Sequence, residues 1–511
     1  MAKYISTICV CFIVSMLAAG SARAATFTVT KSADTLDGSC SASDCSLREA
    51  IAAANTASGT DTVAIPAGTY TLTITGNGED DNATGDLDVT TTMSITGAGS
   101  GTTTINANGA TTSDRALHVT STGTLTLSDV TLTGGGLITN GVGGGAFANE
   151  STATLDSVSV TSSTSGANGG GVGGGGIYNA GTLTVSNTTI SSNSVTADDD
   201  NSYSNAGGGL YVENGTVTIT DTTISGNTAN NDGSTTAFGG GIYFLAGTLN
   251  LNRVTVSGNT SGANGGGIYA PSSVTTVNIT NSTIANNTAN SYGGGIITGG
   301  YTTSVTTIAH STIVNNTADT NVDATGGGGG IYVENGNASQ TATFNIQGTL
   351  VSGNSAGSGT GPDCDTHSAE SIISLGYSWV RDTTDCDKLV TNGATDTTDE
   401  NPLLSSAGLA NNGGNTNTVA LQSSSGAVDA VPTASCDDAA GDPLTQDQRG
   451  LTRPEDSSCD IGAYELDQTS PTITVTGNNS ATAECRATYT DAGATAADNF
   501  DSSVTVSTGG T

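Results

Sequence analysis

One block returns along this chain and restricts what it can fold into: three glycines, an aliphatic residue and an aromatic. Gly-Gly-Gly-Ile-Tyr ends at Tyr178, Tyr243, Tyr269 and Tyr332, and Gly-Gly-Gly-Leu-Tyr ends at Tyr211. Weaker copies end at Phe147 and Ile297, and successive copies lie 26 to 35 residues apart. Self-similarity at such a period means that each repeat is one supersecondary unit that buries its apolar stripe only by stacking on its neighbours.

A second phrase fills the space between blocks, as in Gly181-Thr-Leu-Thr-Val-Ser-Asn-Thr-Thr-Ile-Ser-Ser-Asn193. Relatives of it end at Asn227, Asn259, Asn287, Asn316 and Asn354. Pairs such as Leu183/Val185, Val217/Ile219 and Leu249/Leu251 alternate with Thr and Ser, which predicts strands. The inward period breaks between Val185 and Ile190, so a turn near Asn187 must reset the phase. Two short strands come from this phrase and a third from the glycine block. Three strands and three turns make one coil of a parallel β-helix. About ten coils at roughly 4.8 Å each make a rod on the order of 50 Å long. The chirality of crossover connections makes it right-handed.

Met1 to Ala24 has the form of a secretory signal: Lys3, an apolar stretch from Ile5 to Leu17, and Ala22-Arg23-Ala24 at the cleavage point. That stretch is too short to span a bilayer. Export permits disulfides. Proximity suggests Cys40 with Cys45, Cys364 with Cys386 and Cys436 with Cys459, one of fifteen arrangements, with Cys485 left over. The formal charge of −35 disfavours nucleic acid and anionic lipid as partners.

Ser46 and Glu49 form a capping box before Leu47, Ile51 and Ala54, predicting a helix that covers the open end of the stack. Cys45-Ser-Leu-Arg-Glu-Ala50 resembles the signature of the CSLREA domain of bacterial exported proteins, and Asp61–Tyr70 is similar to the first coil of many pectate-lyase-like β-helices. The glycine and asparagine phrases resemble polymorphic outer-membrane and adhesin-like repeats. Asn401-Pro-Leu-Leu, Asp447-Gln-Arg-Gly450 and Cys459-Asp-Ile-Gly-Ala-Tyr-Glu465 resemble the choice-of-anchor Q domain, a module of surface proteins, departing from it at Ser425–Asp429. Pro471–Gly477 and Tyr489–Asn499 are similar to the opening strands of a bacterial immunoglobulin-like module, of which a part is present.

Candidate chemistry is sparse. Between Tyr70 and Asn354 the basic residues are Arg115 and Arg253, with His118 and His310. Arg253 and His310 occupy the varied turn slot of Asn187, Asp221 and Asn281, and His118 reads as a strand residue between Leu117 and Val119. No acid–base partner is recognisable for any of them. Glu79, Asp80, Asp81, Asp86 and Asp88 are the candidate metal ligands, a glycine-containing acidic loop with the hard oxygens that calcium prefers. Tyr178, Tyr211, Tyr243 and Tyr269 are the candidate ligand-binding residues. If Ile177 points inward, Tyr178 points outward, and such rings can stack on sugars or anchor a protein. Inward stacking of these rings, or their outward packing under a loop, is the competing expectation. The asparagine series predicts an amide ladder inside a turn.

The expectation is an all-β chain: signal peptide 1–24, CSLREA-type cap 25–69, right-handed pectate-lyase-like parallel β-helix 70–360, choice-of-anchor Q-like module 361–467 and partial immunoglobulin-like domain 468–511. With no catalytic constellation in view, the leading function is a non-enzymatic, extracellular or cell-surface adhesin-like stalk for glycan or protein partners. A calcium-assisted polysaccharide lyase or glycoside hydrolase and a structural spacer are the alternatives. No cofactor is required, and calcium is the candidate ion.

Overall fold

The computed structural model describes residues 23–38, 40–136, 143–167, 173–197, 206–230, 237–271, 275–300, 304–321, 325–335, 342–357, 359–367, 370–455, 457–476, 492–498 and 504–507. The signal segment before residue 23 and Cys485 lie outside the described residues.

The chain is nearly all β, coiled into a parallel β-solenoid. Three long parallel sheets carry it, of 13, 12 and 10 strands among the described residues. One repeat shows how the sequence builds a coil. Thr182–Ser186 lies in the 13-stranded sheet, Thr189–Ser191 in the 12-stranded and Ile177–Asn179 in the 10-stranded. Leu183, Val185, Ile190 and Ile177 are all buried in one core that runs the length of the stack. The phase between Val185 and Ile190 is reset by a single left-handed residue, Asn187, at φ 48°. Its counterparts Asp221, Arg253, Asn281 and His310 share that conformation, at 50°, 57°, 45° and 44°. Asn and Asp tolerate it best, whereas Arg253 is held there while its guanidinium grips Asp221 at 2.7 and 2.8 Å.

The next corner carries the asparagine ladder. Each Asn Nδ2 donates to the Oδ1 of the next, from Asn193 through Asn227, Asn259, Asn287 and Asn316 to Asn354, at 2.9 to 3.1 Å. Asp363 accepts the last bond. These amides satisfy buried backbone at every coil, as expected of an internal ladder. The glycine block has its own reason. A Cβ on Gly175 would stand 2.2 Å from the carbonyl oxygen of Gly208 in the next coil, so only hydrogen fits there.

Helix Leu47–Thr56 closes the N-terminal end, with the capping box present and Leu47, Ile51 and Ala54 buried. It packs on the strands Thr26–Thr28, Asp61–Ala64 and Leu87–Val89. All three cysteine pairs are bonded: Cys40–Cys45, Cys364–Cys386 and Cys436–Cys459. The coils continue past residue 360. Ile372–Gly376, Trp379–Val380, Leu389–Val390 and Thr397–Thr398 extend the 13- and 12-stranded sheets, although the glycine block is gone.

Residues from about 401 to 467 then fold back along the flank of the stack. Val419, Leu421, Ala427, Val431 and Ile461 bury a second apolar cluster against Ala285, Val314, Leu350 and Trp379. Gln448 reaches into the stack, accepting from Thr283 Oγ1 at 2.6 Å and donating to Thr255 Oγ1 at 2.9 Å. Arg453 is fully enclosed between Glu465, at 2.7 Å, and Asn281, at 2.8 Å. Beyond this module, Thr472–Val475 and Ala494–Ala497 pair antiparallel.

Candidate functional site

The outward face of the 10-stranded sheet concentrates the chemistry. Its strands present one residue per coil, and register places Asp88, His118, Ala148, Tyr178, Tyr211, Tyr243 and Tyr269 in one column. The tyrosines point outward, apart from the lumen core, yet they are covered: exposure is 3, 0, 4 and 7 % for Tyr178, Tyr211, Tyr243 and Tyr269. They form a cluster of their own. Ring centroids lie 5.8 Å apart for Tyr178–Tyr211, 5.2 Å for Tyr211–Tyr243 and 5.1 Å for Tyr243–Tyr269, and Phe238 stacks on Tyr269 at 4.7 Å. The column is therefore a packed layer in place of the solvent-facing platform on which a sugar would stack. Tyr178 donates its hydroxyl proton to Glu213, and burial together with that carboxylate raises its pKa.

At the N-terminal end of the same column the side chains become ionisable. The loop that follows strand Gly68–Thr71 folds over the sheet, anchored by Arg48 of the capping helix, whose guanidinium donates to the carbonyls of Gly85 and Asp86 at 2.7 Å each. Glu79 shapes this loop by accepting the backbone N–H groups of Asp81, Ala83 and Thr84 at 2.8, 2.8 and 2.5 Å. Asp81 is exposed. Asp86 turns to Arg115, 3.0 Å from Nε, with Asp114 on the same nitrogen at 3.5 Å. Burial holds the Asp86 carboxyl well above the usual range, though Arg115 opposes this.

Asp80 and Asp88 turn instead to His118. Nδ1 lies 3.4 Å from Asp80 Oδ1 and 3.3 Å from Asp88 Oδ1, and Nε2 lies 3.8 Å from Glu150 Oε1. Asp88 Oδ2 is fixed by the Asn82 backbone N–H at 2.9 Å. Burial raises the Asp88 pKa, with His118 as the main opposing influence. Of the five acids expected to share one ion, the structure thus gathers two around an imidazole and gives the others different work. Asp80, Asp88 and His118 bring three ligand atoms within 4.8 Å of one another, the set best placed to hold a metal among the described residues.

The expectation that Arg115 and His118 lack acidic partners is corrected here. The signal was present in the sequence: Leu87-Asp88-Val89 and Leu117-His118-Val119 are the same strand triplet one coil apart. Arg253 is likewise paired, to Asp221, and His310 is fully buried with Ser435, Arg453 and Asp460 of the flanking module around it.

A second feature is a cleft of about 220 Å³ at the seam between stack and module. Asn250, Asn252, Asn278 and Thr280 form one wall, and Asp438–Ala440 with Leu444 the other. Asn278 Nδ2 donates to Asn250 Oδ1 at 2.9 Å, while Asn252 Oδ1 is buried without a hydrogen-bond partner. Among the described residues no helix is long and apolar enough to cross a membrane.

No family model and no curated protein matches the chain. A solved structure described as the crystal structure of pectate lyase Pel9A superposes on 87% of this chain and 96% of its own, at 15% identity and a TM-score of 0.43. A likeness of that size carries no argument about activity.

Proposed function

We propose that the protein is an exported, non-enzymatic, adhesin-like β-helix that holds a glycan at the seam between its stack and its flanking module. The observation that carries this reading is the amide-lined cleft. Asparagine side chains offer a donor and an acceptor side by side, a match for neighbouring sugar hydroxyls. Stacked coils repeat them at strand spacing, and Leu444 and Ala439 supply an apolar surface. At about 220 Å³ the cleft is smaller than pockets that enclose a small molecule, roughly 300 Å³ upward, so it suits one residue of a polymer. Three disulfides fit an oxidising compartment.

The test is retention of the mature chain on immobilised neutral and acidic polysaccharides, scored together with new chain ends. Retention without cleavage, weakened about tenfold or more in Asn250→Ala/Asn278→Ala, is the expected result. Retention that ignores this double substitution would sink the cleft as the site. The runner-up, a metal-assisted lyase or hydrolase, is favoured by a different observation: His118 and Arg115 beside buried carboxyls of raised pKa. New chain ends that vanish in His118→Ala would establish it in place of the adhesin.

A further inference from the structure

We propose that Asp80, Asp88 and His118 form a binding site for a divalent transition-type cation, with zinc as the type ion. The geometry comes first. Bonds of about 2.1 Å in a tetrahedron put neighbouring ligand atoms about 3.4 Å apart. His118 Nδ1 stands 3.4 and 3.3 Å from its two carboxylate oxygens. A proton explains this spacing poorly. Nδ1 carries a single hydrogen and can serve one oxygen, and charge-assisted bonds close to about 2.7–2.9 Å. Two oxygens held at nearly equal, longer distances suit one cation bound to all three atoms.

Unpartnered groups provide the second, independent observation. Asp88 is 0 % and His118 6 % exposed, and Asp88 Oδ1 and His118 Nε2 are both buried without a hydrogen bond. Leaving such atoms unpaired costs about 1–3 kcal/mol each, more when charged. An ion at Nδ1 and Oδ1 satisfies Asp88. It also fixes the imidazole tautomer with hydrogen on Nε2, which faces Glu150, the carboxylate that commonly backs a metal-bound histidine.

The donor set selects the ion. Calcium and magnesium take oxygen ligands, whereas imidazole suits zinc, copper, nickel and iron. The expected calcium loop therefore becomes a site of different preference, because the neighbouring coil contributes a nitrogen. Asp88 and His118 are rigid, in register on adjacent strands. Asp80 comes from the loop with its side chain 71 % exposed, giving the ion a path in and leaving a fourth position for water or a ligand.

The experiment strips the mature full-length chain with chelator and measures zinc and calcium binding by calorimetry and by metal content after dialysis. One zinc equivalent is expected, not displaced by a tenfold excess of calcium. His118→Ala should lose it, and Asp80→Asn should weaken it about tenfold or more. Asp80→Asn carries the test if His118→Ala fails to fold, because Asp80 is at the surface. Cobalt in the same site should give the visible absorption of a tetrahedral centre, absent in His118→Ala. Zinc affinity unchanged in Asp80→Asn and Asp88→Asn, or calcium displacing zinc at equal concentration, overturns the proposal.

Discussion

Two outward faces of the same stack are covered in opposite ways. On the 10-stranded sheet, the repeat itself supplies most of the cover: four successive coils each give a tyrosine that packs on the next. On the flank built from the 12-stranded sheet, a non-repeating module supplies it, and the seam is rich in buried charge, with Arg453 on Glu465 and Arg449 on Asp447. The repeated cover draws its stability from area and ring contact. The seam depends on complete partnering, because a lone charge there has no water to turn to. At Asp88 and His118 the repeated column loses its aromatics, and chemistry becomes available in slots that elsewhere only pack.

The sharpest way to break this contrast is to remove one side chain from each cover. Tyr211→Ala deletes a fully buried ring from mid-column and should cost about 3–5 kcal/mol of stack stability in denaturant melts. Arg453→Ala should cost a similar amount, about 3–5 kcal/mol, by leaving Glu465 buried without its cation. The two losses should fall in different places. Limited proteolysis of Arg453→Ala should cut first within 401–467 while the coils persist. Equal cutting throughout both variants would show that the covers are one cooperative unit.

A smaller effect belongs to the disulfide that closes the module. Replacing Cys436 and Cys459 by serine opens a link across 23 residues and should cost about 2–4 kcal/mol. The column should be indifferent to it. A loss of near-ultraviolet tyrosine signal together with release of the module would contradict the separation of the two covers.

Much of this was legible because the repeat makes it local. The Leu183/Val185 alternation, the phase break at Asn187, the capping box at Ser46 and the nearest-neighbour cysteine pairs each state their own geometry within a few residues. The coils beyond residue 360 carry no glycine block. Ile372 and Trp379 hold their register through pairing with Phe344 and Leu350, which no local pattern reveals. Outward orientation of the tyrosines followed from alternation and their packing was one of the expectations, but the segment that covers them was not legible, since Phe238 reaches Tyr269 from outside the repeat phrase. For the site, Asp88 and His118 were legible as aligned triplets. Asp80 was named among the candidate ligands, but its approach to His118 was not legible, because it arrives through a loop pinned by Arg48 and Asn82.

The seam should also respond to pH, through two titrating groups that oppose each other. Burial, with Glu465 nearby, pushes Asp460 from its ordinary 3.8 up to about 7. The folded state then holds that proton more tightly than the unfolded chain, so stability falls as pH rises from about 4 to 7. Burial and the Arg453 cation hold His310 at about 3, down from 6.5. There the unfolded chain binds the proton more tightly, so stability rises as pH increases from about 3 to 6.5. The two contributions should thus nearly cancel between about 4 and 6.5. Asp460→Asn should leave the rising slope alone and His310→Gln the falling one, both read from melts across pH. Parallel slopes in the two variants would refute the assignment.

The smallest expected effect is the most discriminating for the ionisable end of the column. Asp81 is adjacent to Asp80, carries the same charge and lies exposed on the same loop, but it takes no part in the triad at His118. Its place in the turn depends on its backbone N–H, held by Glu79, which survives substitution. Asp81→Asn should therefore leave stability within about 0.5 kcal/mol. Its zinc affinity should stay within about twofold of wild type, because a charge in water near the site acts through a screened field. Asp80→Asn removes the same charge one residue away but deletes a ligand atom. If the two variants weaken zinc equally, the loop is a diffuse sink of negative charge. If Asp80→Asn alone does, position decides, as it does for each residue of the column: the coil fixes where a side chain stands, and its identity determines whether that place packs or binds.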